Sequence, residues 1–159
     1  EAHLHCFKKK DLNIPDGVKV NFYSNTNKSG DSYVWTLAKR TQQLIKEGKQ
    51  NEKKYDLIFL DGAHVYDVDI AATCYLKEML KPGGYIIFSD MTWSLEESFS
   101  CNTRKNRAKY TNEQMTTRHV SLIVDTLART DKRFKEIHIN NYSIRNDDND
   151  ESVFEKLHD

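Results

Sequence analysis

The chain has 159 residues, and its 24 lysines and arginines balance its 24 aspartates and glutamates, so the formal net charge is zero. One domain of this length can bury a core, and the balanced charge gives no global attraction for nucleic acid or an anionic membrane. The three cysteines (Cys6, Cys74 and Cys101) are too few and too scattered for a disulfide framework or a metal cluster, which favours a reducing, cytoplasmic setting. No apolar run is long enough to span a membrane, and no signal peptide is recognisable.

The first fifty residues predict a helix, a strand and a second helix. Residues 1–10 have helical spacing, NIPDG at 13–17 predicts a turn, and residues 18–23 alternate as a strand near the sheet edge. Asp31 or Ser32 then caps a helix whose apolar positions recur at three and four residues.

A βαβ unit is predicted between Tyr55 and Trp93. Residues 55–60, YDLIFL, are typical of a strand buried on both faces in a parallel sheet. Residues 65–80 keep helical spacing, with two aspartates in the first turn, and KPGG at 81–84 predicts the end of that helix. Residues 85–88 predict the second buried strand.

An aspartate follows each of these two strands. Asp61 comes after the first strand, Asp90 after the second, and His64 lies just beyond Asp61. Ligands of open α/β sheets bind beyond the carboxyl ends of the strands, so we expect these three side chains to form one site.

The last third of the chain predicts a helix and a hairpin. Residues 91–110 read as an irregular polar segment, whose local cluster of cations comprises Arg104, Lys105, Arg107 and Lys109. Thr111 and Gln114 match a capping box, and the helix that follows buries its apolar positions up to Leu127. Residues 137–144 and 153–157 predict two strands joined by a polar turn.

Two sequence motifs, YDLIFLDGAH and LKPGGYIIFSD, occur in this order and at this spacing. They resemble the second half of class I S-adenosylmethionine-dependent methyltransferases. The resemblance implies a Rossmann-like three-layer α/β/α sandwich, with a mostly parallel sheet and a C-terminal antiparallel hairpin. It also implies a single domain over residues 1–159, S-adenosylmethionine as cofactor, and a small-molecule hydroxyl as the methyl acceptor.

The resemblance also suggests catalytic and metal-binding roles. It implies a general base at His64 with Asp61 beside it, since imidazole groups titrate near neutral pH. In the metal-dependent O-methyltransferases, the equivalents of Asp61 and Asp90 bind a divalent cation such as Mg. Their third ligand follows the second aspartate, where this chain has Met91, a poor ligand for a hard cation.

Other positions would contact the cofactor and the acceptor. Cofactor contacts would fall at Glu1, Asp31 and Ser32, as well as at Asp61. Tyr66 and Trp93 would line the acceptor pocket; both aromatic rings could equally pack over the helix.

One feature of the family is missing, because the chain contains no G-x-G turn to cradle the cofactor. The sequence resembles a methyltransferase that begins at the end of its second strand. Truncation is the simplest explanation; the alternatives are that a partner supplies the turn, with a homo-oligomer left open, or that cofactor binding was lost. Three functions remain open: an O-methyltransferase, a non-catalytic Rossmann-like partner, and another nucleotide-dependent enzyme such as an oxidoreductase. The LKPGG motif argues against the third.

Overall fold

The computed structural model describes Tyr23, Thr26, Lys28 and residues 31–52, 55–137 and 150–159. The chain divides into two compact units, Glu1–Gln50 and Asn51–Asp159. The helix predicted at 1–10, nearly all of the strand predicted at 18–23, and residues 138–144 lie outside the described residues.

The first unit contains helix α1 (Tyr33–Lys46). Its N-cap is Ser32, whose hydroxyl accepts a hydrogen bond from the backbone N–H of Trp35. Asp31, the other predicted cap, instead accepts hydrogen bonds from the backbone N–H and the hydroxyl of Thr26. The helix is therefore capped by one of the two predicted residues, and the other closes the preceding turn.

The second unit contains a four-stranded sheet and several helices. Its elements are β1 (Tyr55–Leu60), α2 (Tyr66–Met79), β2 (Leu80–Phe88), α3 (Arg104–Lys109), α4 (Asn112–Thr116), α5 (His119–Ile123) with a π-helical continuation at Val124–Ala128, β3 (Phe134–Ile137) and β4 (Ser152–Lys156). The strand order is β1-β2-β4-β3. β1 pairs with β2 in parallel, and β4 runs antiparallel to both β2 and β3. The described strands thus make one parallel and two antiparallel pairings.

One face of this sheet carries the core. Ile58, Ile86 and Phe154 are aligned across β1, β2 and β4, and all three are buried. The rings of Phe88 and Phe154 meet edge to face, with their centroids 6.0 Å apart. Helix α2 packs against α5 and β2 on this side. The alternation of side chains along each strand places these apolar groups on the same face.

The opposite face of β1 differs from the sequence expectation. The strand was predicted to be buried on both faces, yet the side chains of Leu57 and Phe59 are 61% and 55% exposed. Tyr85 of β2, which pairs with Leu57, is also exposed. Among the residues described in the second unit, helices cover the face of Ile58 only.

Helix α2 ends just before the KPGG stretch, as predicted, but KPGG is itself part of β2, so the strand begins earlier than the predicted residue 85. Leu80 has extended backbone angles and pairs with Tyr55, so the strand starts directly after Met79. Gly83, with φ of +74°, accommodates an irregularity in the pairing of β1 with β2. Lys81 forms an ion pair with Asp56 of β1 instead of interacting with the end of α2.

The C-terminal helix and hairpin keep their order but change their bounds. The predicted capping box is confirmed, since the hydroxyl of Thr111 and the side chain of Gln114 exchange hydrogen bonds with each other's backbone. The helix that it starts is short, however, and α5 begins separately at His119. The segment predicted as irregular includes α3, and the described part of the hairpin comprises β3 and β4.

A partly buried carboxylate joins α2 to the turn before β3. Asp131 accepts hydrogen bonds from the guanidinium of Arg133 and lies 2.8 Å from the ammonium of Lys77. The hydrogen bonds from Arg133 hold the pKa of Asp131 well below its usual range; burial opposes this shift, and Lys77 adds to it. The carboxylate is consequently ionised under all ordinary conditions.

Candidate active site

Two aspartates and a histidine meet where β1 and β2 end. Asp61 directly follows β1, Asp90 follows β2 after one residue, and the two strands are parallel neighbours, so both residues leave the same edge of the sheet. The Nε2 atom of His64 lies 3.1 Å from Oδ1 of Asp61 and 3.0 Å from Oδ2 of Asp90. We call these three residues the rim cluster.

Two members of the rim cluster have unusual backbone conformations. His64 has φ of +55° and Asp90 has φ of +60°, and they are the described residues other than glycine with positive φ. For an L-residue this region costs roughly 1–2 kcal/mol. Such conformations persist only where surrounding contacts enforce them, and they are concentrated at functional sites.

Trp93 covers one side of the cluster. Its ring centroid lies 5.2 Å from that of His64, at an interplanar angle of 53°. The side chain of His64 is 21% exposed, whereas that of Asp61 is 58% exposed. The imidazole is thus held under an aromatic ring, and solvent reaches the cluster from the side of Asp61.

The loop that carries His64 is anchored by Asp69, in the first turn of α2. The carboxylate of Asp69 accepts hydrogen bonds from the backbone N–H groups of Ala63, at 3.0 Å, and Val65, at 3.2 Å. Burial raises the pKa of this carboxyl, and hydrogen bonds from the backbone amides of Ala63, Val65 and His64 act in the opposite direction. From the sequence alone, Asp69 is only one of the two aspartates in the first turn of the predicted helix.

Gly62 is the residue that lets this carboxylate come close. A Cβ atom placed on Gly62 would lie 2.3 Å from Oδ1 of Asp69, a separation that real Cβ atoms do not show. The glycine after Asp61 therefore does more than turn the chain out of β1, because it makes room for the carboxylate that binds the loop.

The start of α2 is held by a second buried group, His119. The backbone N–H of Tyr66 donates to Nδ1 of His119 at 3.0 Å, and Nε2 lies 2.7 Å from the carbonyl oxygen of Gln114. Since a carbonyl can only accept, the ring hydrogen is assigned to Nε2. No local pattern could have revealed His119, which lies 53 residues from Tyr66 along the chain.

The other predicted site residues are placed as follows. Asp31 and Ser32 belong to the first unit, where their side chains bind Thr26 and the start of α1, and the side-chain hydrogen bond from Thr26 lowers the pKa of Asp31. Glu1 lies outside the described residues. Trp93 contacts His64 directly, and Tyr66 is half-buried with its backbone bound to His119.

The donor atoms of the rim cluster suit a divalent cation. One ligand atom from each of Asp61, His64 and Asp90 lies within 4.8 Å of the others. Two carboxylates and an imidazole are ligands that divalent metals accept in proteins. Met91 is buried, and its backbone carbonyl accepts a hydrogen bond from Ser121. Its side chain is a thioether, which is a poor ligand for a hard cation.

Two residues of the predicted cation cluster have local partners. Within the predicted cation cluster, Arg107 binds Glu96, and Lys109 donates to the hydroxyl of Tyr110, which raises the pKa of Lys109. Among the described residues, Cys74 and Cys101 are free thiols. No helix in the described ranges is both long and apolar enough to cross a membrane.

Comparisons with known proteins found one matching family model and a similar solved structure. The profile of a family described as "Methyltransferase domain" matches residues 2–91. A solved structure of the MycE methyltransferase from the mycinamycin biosynthetic pathway, in complex with Mg and SAH, is similar with 13% sequence identity and a TM-score of 0.43. That similarity covers 79% of this chain and 29% of the other chain. No curated protein matches the sequence significantly.

The family match takes in more than half of the chain, including both strands of the βαβ unit and all three residues of the rim cluster. The match confirms the resemblance to S-adenosylmethionine-dependent methyltransferases that the motifs YDLIFLDGAH and LKPGGYIIFSD suggest. The chain therefore belongs to the methyltransferase domain family.

Proposed function

We propose that this protein transfers a methyl group from S-adenosylmethionine to a hydroxyl oxygen of a small molecule, with His64 as the general base. The observation that carries the proposal is the contact of one imidazole nitrogen with two carboxylates at the end of parallel strands. This arrangement orients a proton acceptor where ligands of open α/β sheets bind.

The contacts of His64 identify the nitrogen that acts as the base. Ionised carboxylates only accept hydrogen bonds, so Nε2, which faces both Asp61 and Asp90, carries the ring hydrogen. In the neutral ring, Nδ1 then holds the lone pair. Both carboxylates lie where positive charge develops on the ring as it takes up a proton, and this stabilises the transition state.

The proposed reaction is a direct displacement, in which the acceptor oxygen takes the methyl group from the sulfonium. The hydroxyl proton of the acceptor passes to Nδ1 of His64 while the acceptor oxygen forms a bond to the methyl carbon. S-adenosylmethionine, when bound, would supply the methyl group from its sulfonium and would leave as the neutral thioether S-adenosylhomocysteine. Holding the oxygen and the methyl carbon in line supplies much of the rate acceleration.

The binding roles of the other residues belong to the same proposal. Asp61, together with Glu1, Asp31 and Ser32, would contribute contacts to the cofactor, as the family pattern implies. Tyr66 and Trp93 line the acceptor pocket; for Trp93, the contact with the His64 ring supports this role.

A divalent cation such as Mg is compatible with the same donors. If Asp61 and Asp90 bind one, it would polarise the acceptor oxygen and lower the demand on the base. Met91 offers no third carboxylate, and this favours the histidine over the metal as the activating group.

The finer architecture is also proposed. We infer a single domain with a three-layer sandwich and a mostly parallel sheet. The exposed apolar groups of Leu57, Phe59 and Tyr85 support a second helical layer over that face, because large exposed apolar patches usually mark surfaces that pack against another element.

The expected setting is the cytoplasm, with a small-molecule acceptor as the partner and no binding to nucleic acid or membranes. The zero net charge supports this, since nucleic-acid binding relies on a basic surface. A homo-oligomer that completes the cofactor site is compatible with the proposal.

A second candidate is a Rossmann-like binding partner without catalysis. The absence of a G-x-G turn from the sequence and the presence of Met91 favour it. In that case the rim cluster would have only an architectural role.

The test is an assay with methyl-labelled S-adenosylmethionine at high concentration and a panel of small hydroxyl compounds, with products identified by mass spectrometry. We expect an O-methylated product whose formation depends on His64. Donor binding without methylation of any compound on the panel would favour the non-catalytic candidate.

A further inference from the structure

We propose that Asp69 is a positioning residue that fixes the backbone of His64 and so directs its imidazole between Asp61 and Asp90. This inference rests on the proposed function for its catalytic consequence. The structural part concerns only the residues of this chain and can be tested without methyl transfer.

The hydrogen bonds of Asp69 lie on both sides of His64. Its Oδ1 atom binds the N–H of Ala63, and its Oδ2 atom binds the N–H of Val65. The backbone amide of His64 itself also interacts with this carboxylate. Three successive amides therefore converge on one side chain, an arrangement that determines the direction of the chain at the residue between them.

The conformation of His64 needs such a constraint. Its φ of +55° is one that a histidine adopts only when its surroundings enforce it. With an ordinary negative φ, the side chain would leave the backbone in another direction. The contacts of Nε2 with Asp61, at 3.1 Å, and Asp90, at 3.0 Å, would then be lost.

Asp69 is also an unfavourable residue for stability alone. Its side chain is almost completely buried, at 3% exposure, and the burial raises the pKa of its carboxyl despite the three amides. Burial therefore disfavours the charged form of this carboxyl. A role in orienting His64 accounts for a carboxylate at this position better than packing does.

The shape of the site agrees with this role. The carboxylate occupies the space that any side chain at position 62 would need, and Gly62 leaves that space open. The chain thus brings the carboxylate of α2 into van der Waals contact with the loop that leaves β1.

The experiment compares the wild-type chain with Asp69→Asn, using long-range proton–nitrogen NMR spectra of the histidine rings. His64→Ala identifies the His64 signals among those of the six histidines. Asn has the same shape, but its NH₂ group would face backbone donors. We expect the Nε2 signal of His64 to shift as its contacts with Asp61 and Asp90 are lost. We also expect kcat to fall roughly 10–100-fold with little change in KM.

Asp67→Asn is the matched control, because Asp67 is exposed in the same turn of α2 and its change removes the same charge. It should leave the His64 signals unchanged. Gly62→Ala provides a second route if Asp69→Asn does not fold, since the added Cβ displaces the carboxylate while keeping it in the chain. It should shift the same signals.

Unchanged His64 signals in the folded variants would overturn the inference, whatever the activity. Shifted signals in a protein that transfers no methyl group would support the positioning role while refuting the proposed function. Equal shifts with Asp67→Asn would also overturn the inference, because the effect would then come from charge alone.

Discussion

The Nε2 atom of His64 lies 3.0 Å from Oδ2 of Asp90, and both residues have a positive φ. The two residues follow different strands, so only the parallel pairing of β1 with β2 brings them together. The contact joins two strained positions into one cluster.

Replacing His64 by alanine should lower kcat/KM by roughly 10²–10⁴-fold, because the acceptor hydroxyl loses its base. Binding of the donor should change little, and the KM for S-adenosylmethionine, measured with saturating acceptor, would verify this. His158→Ala, an exposed histidine near the C-terminus, is the control and should retain full activity.

Chelation of divalent metal should leave turnover unchanged, because Met91 provides no third carboxylate and His64 activates the acceptor. Asp61→Asn and Asp90→Asn should each lower turnover, since each removes a charge beside the imidazole. Loss of activity in EDTA with recovery in Mg²⁺ would instead assign the activation to a metal.

The 159-residue chain by itself should bind S-adenosylmethionine weakly or not at all. The sequence contains no G-x-G turn, whose backbone amides approach the cofactor closely in the family. Isothermal calorimetry is the measurement. Micromolar affinity would contradict the prediction and would mean that the residues present, or an oligomer of the chain, complete the site.

Asp131→Asn should destabilise the fold by about 2 kcal/mol at neutral pH, as Lys77 and Arg133 lose a charged acceptor. The pKa of Asp131 is depressed in the folded state. Its contribution to stability is therefore present above the pKa of the unfolded chain, near 4, and is lost as the pH falls through the lower folded-state value. Urea unfolding of wild type and variant should accordingly differ at pH 7 and converge in strong acid. Asp125→Asn is the control, because Asp125 is 55% exposed and its pair with Arg129 should contribute less than about 1 kcal/mol.

Phe59→Ala tests the proposed second layer of the sandwich. If a helical layer covers this face, the change should cost about 2 kcal/mol or more of unfolding free energy. Phe99→Ala is matched in chemistry, and Phe99 is 99% exposed, so it should change stability by less than about 0.5 kcal/mol. Equal, small effects of the two changes would argue against the three-layer architecture.

The sequence by itself determined the βαβ unit and the positions of Asp61, His64 and Asp90. These features depend on local regularities: an apolar run, a change to helical spacing, and aspartates directly after strands. The capping box at Thr111 and Gln114 was predictable for the same reason, because its partners are three residues apart.

Local patterns misplaced the start of β2. Pro82, Gly83 and Gly84 favour a break in isolation, yet this stretch lies within β2 beside β1. Pairing with a neighbouring strand outweighs the intrinsic preference of a short segment. The pattern of β1 likewise predicted burial on both faces, since hydrophobicity does not say which layer covers a strand.

Only the tertiary structure decided how His64 is held. The carboxylate of Asp69 and the ring of His119 are ordinary polar positions in the sequence, and their effects arise from burial and from partners that the fold brings near. A buried polar group must find hydrogen-bond partners, and distant segments supply them here. The spacing of residues in the sequence shows which chemical groups follow which strand. Their orientation depends on burial and on contacts between distant segments, which only the folded chain provides.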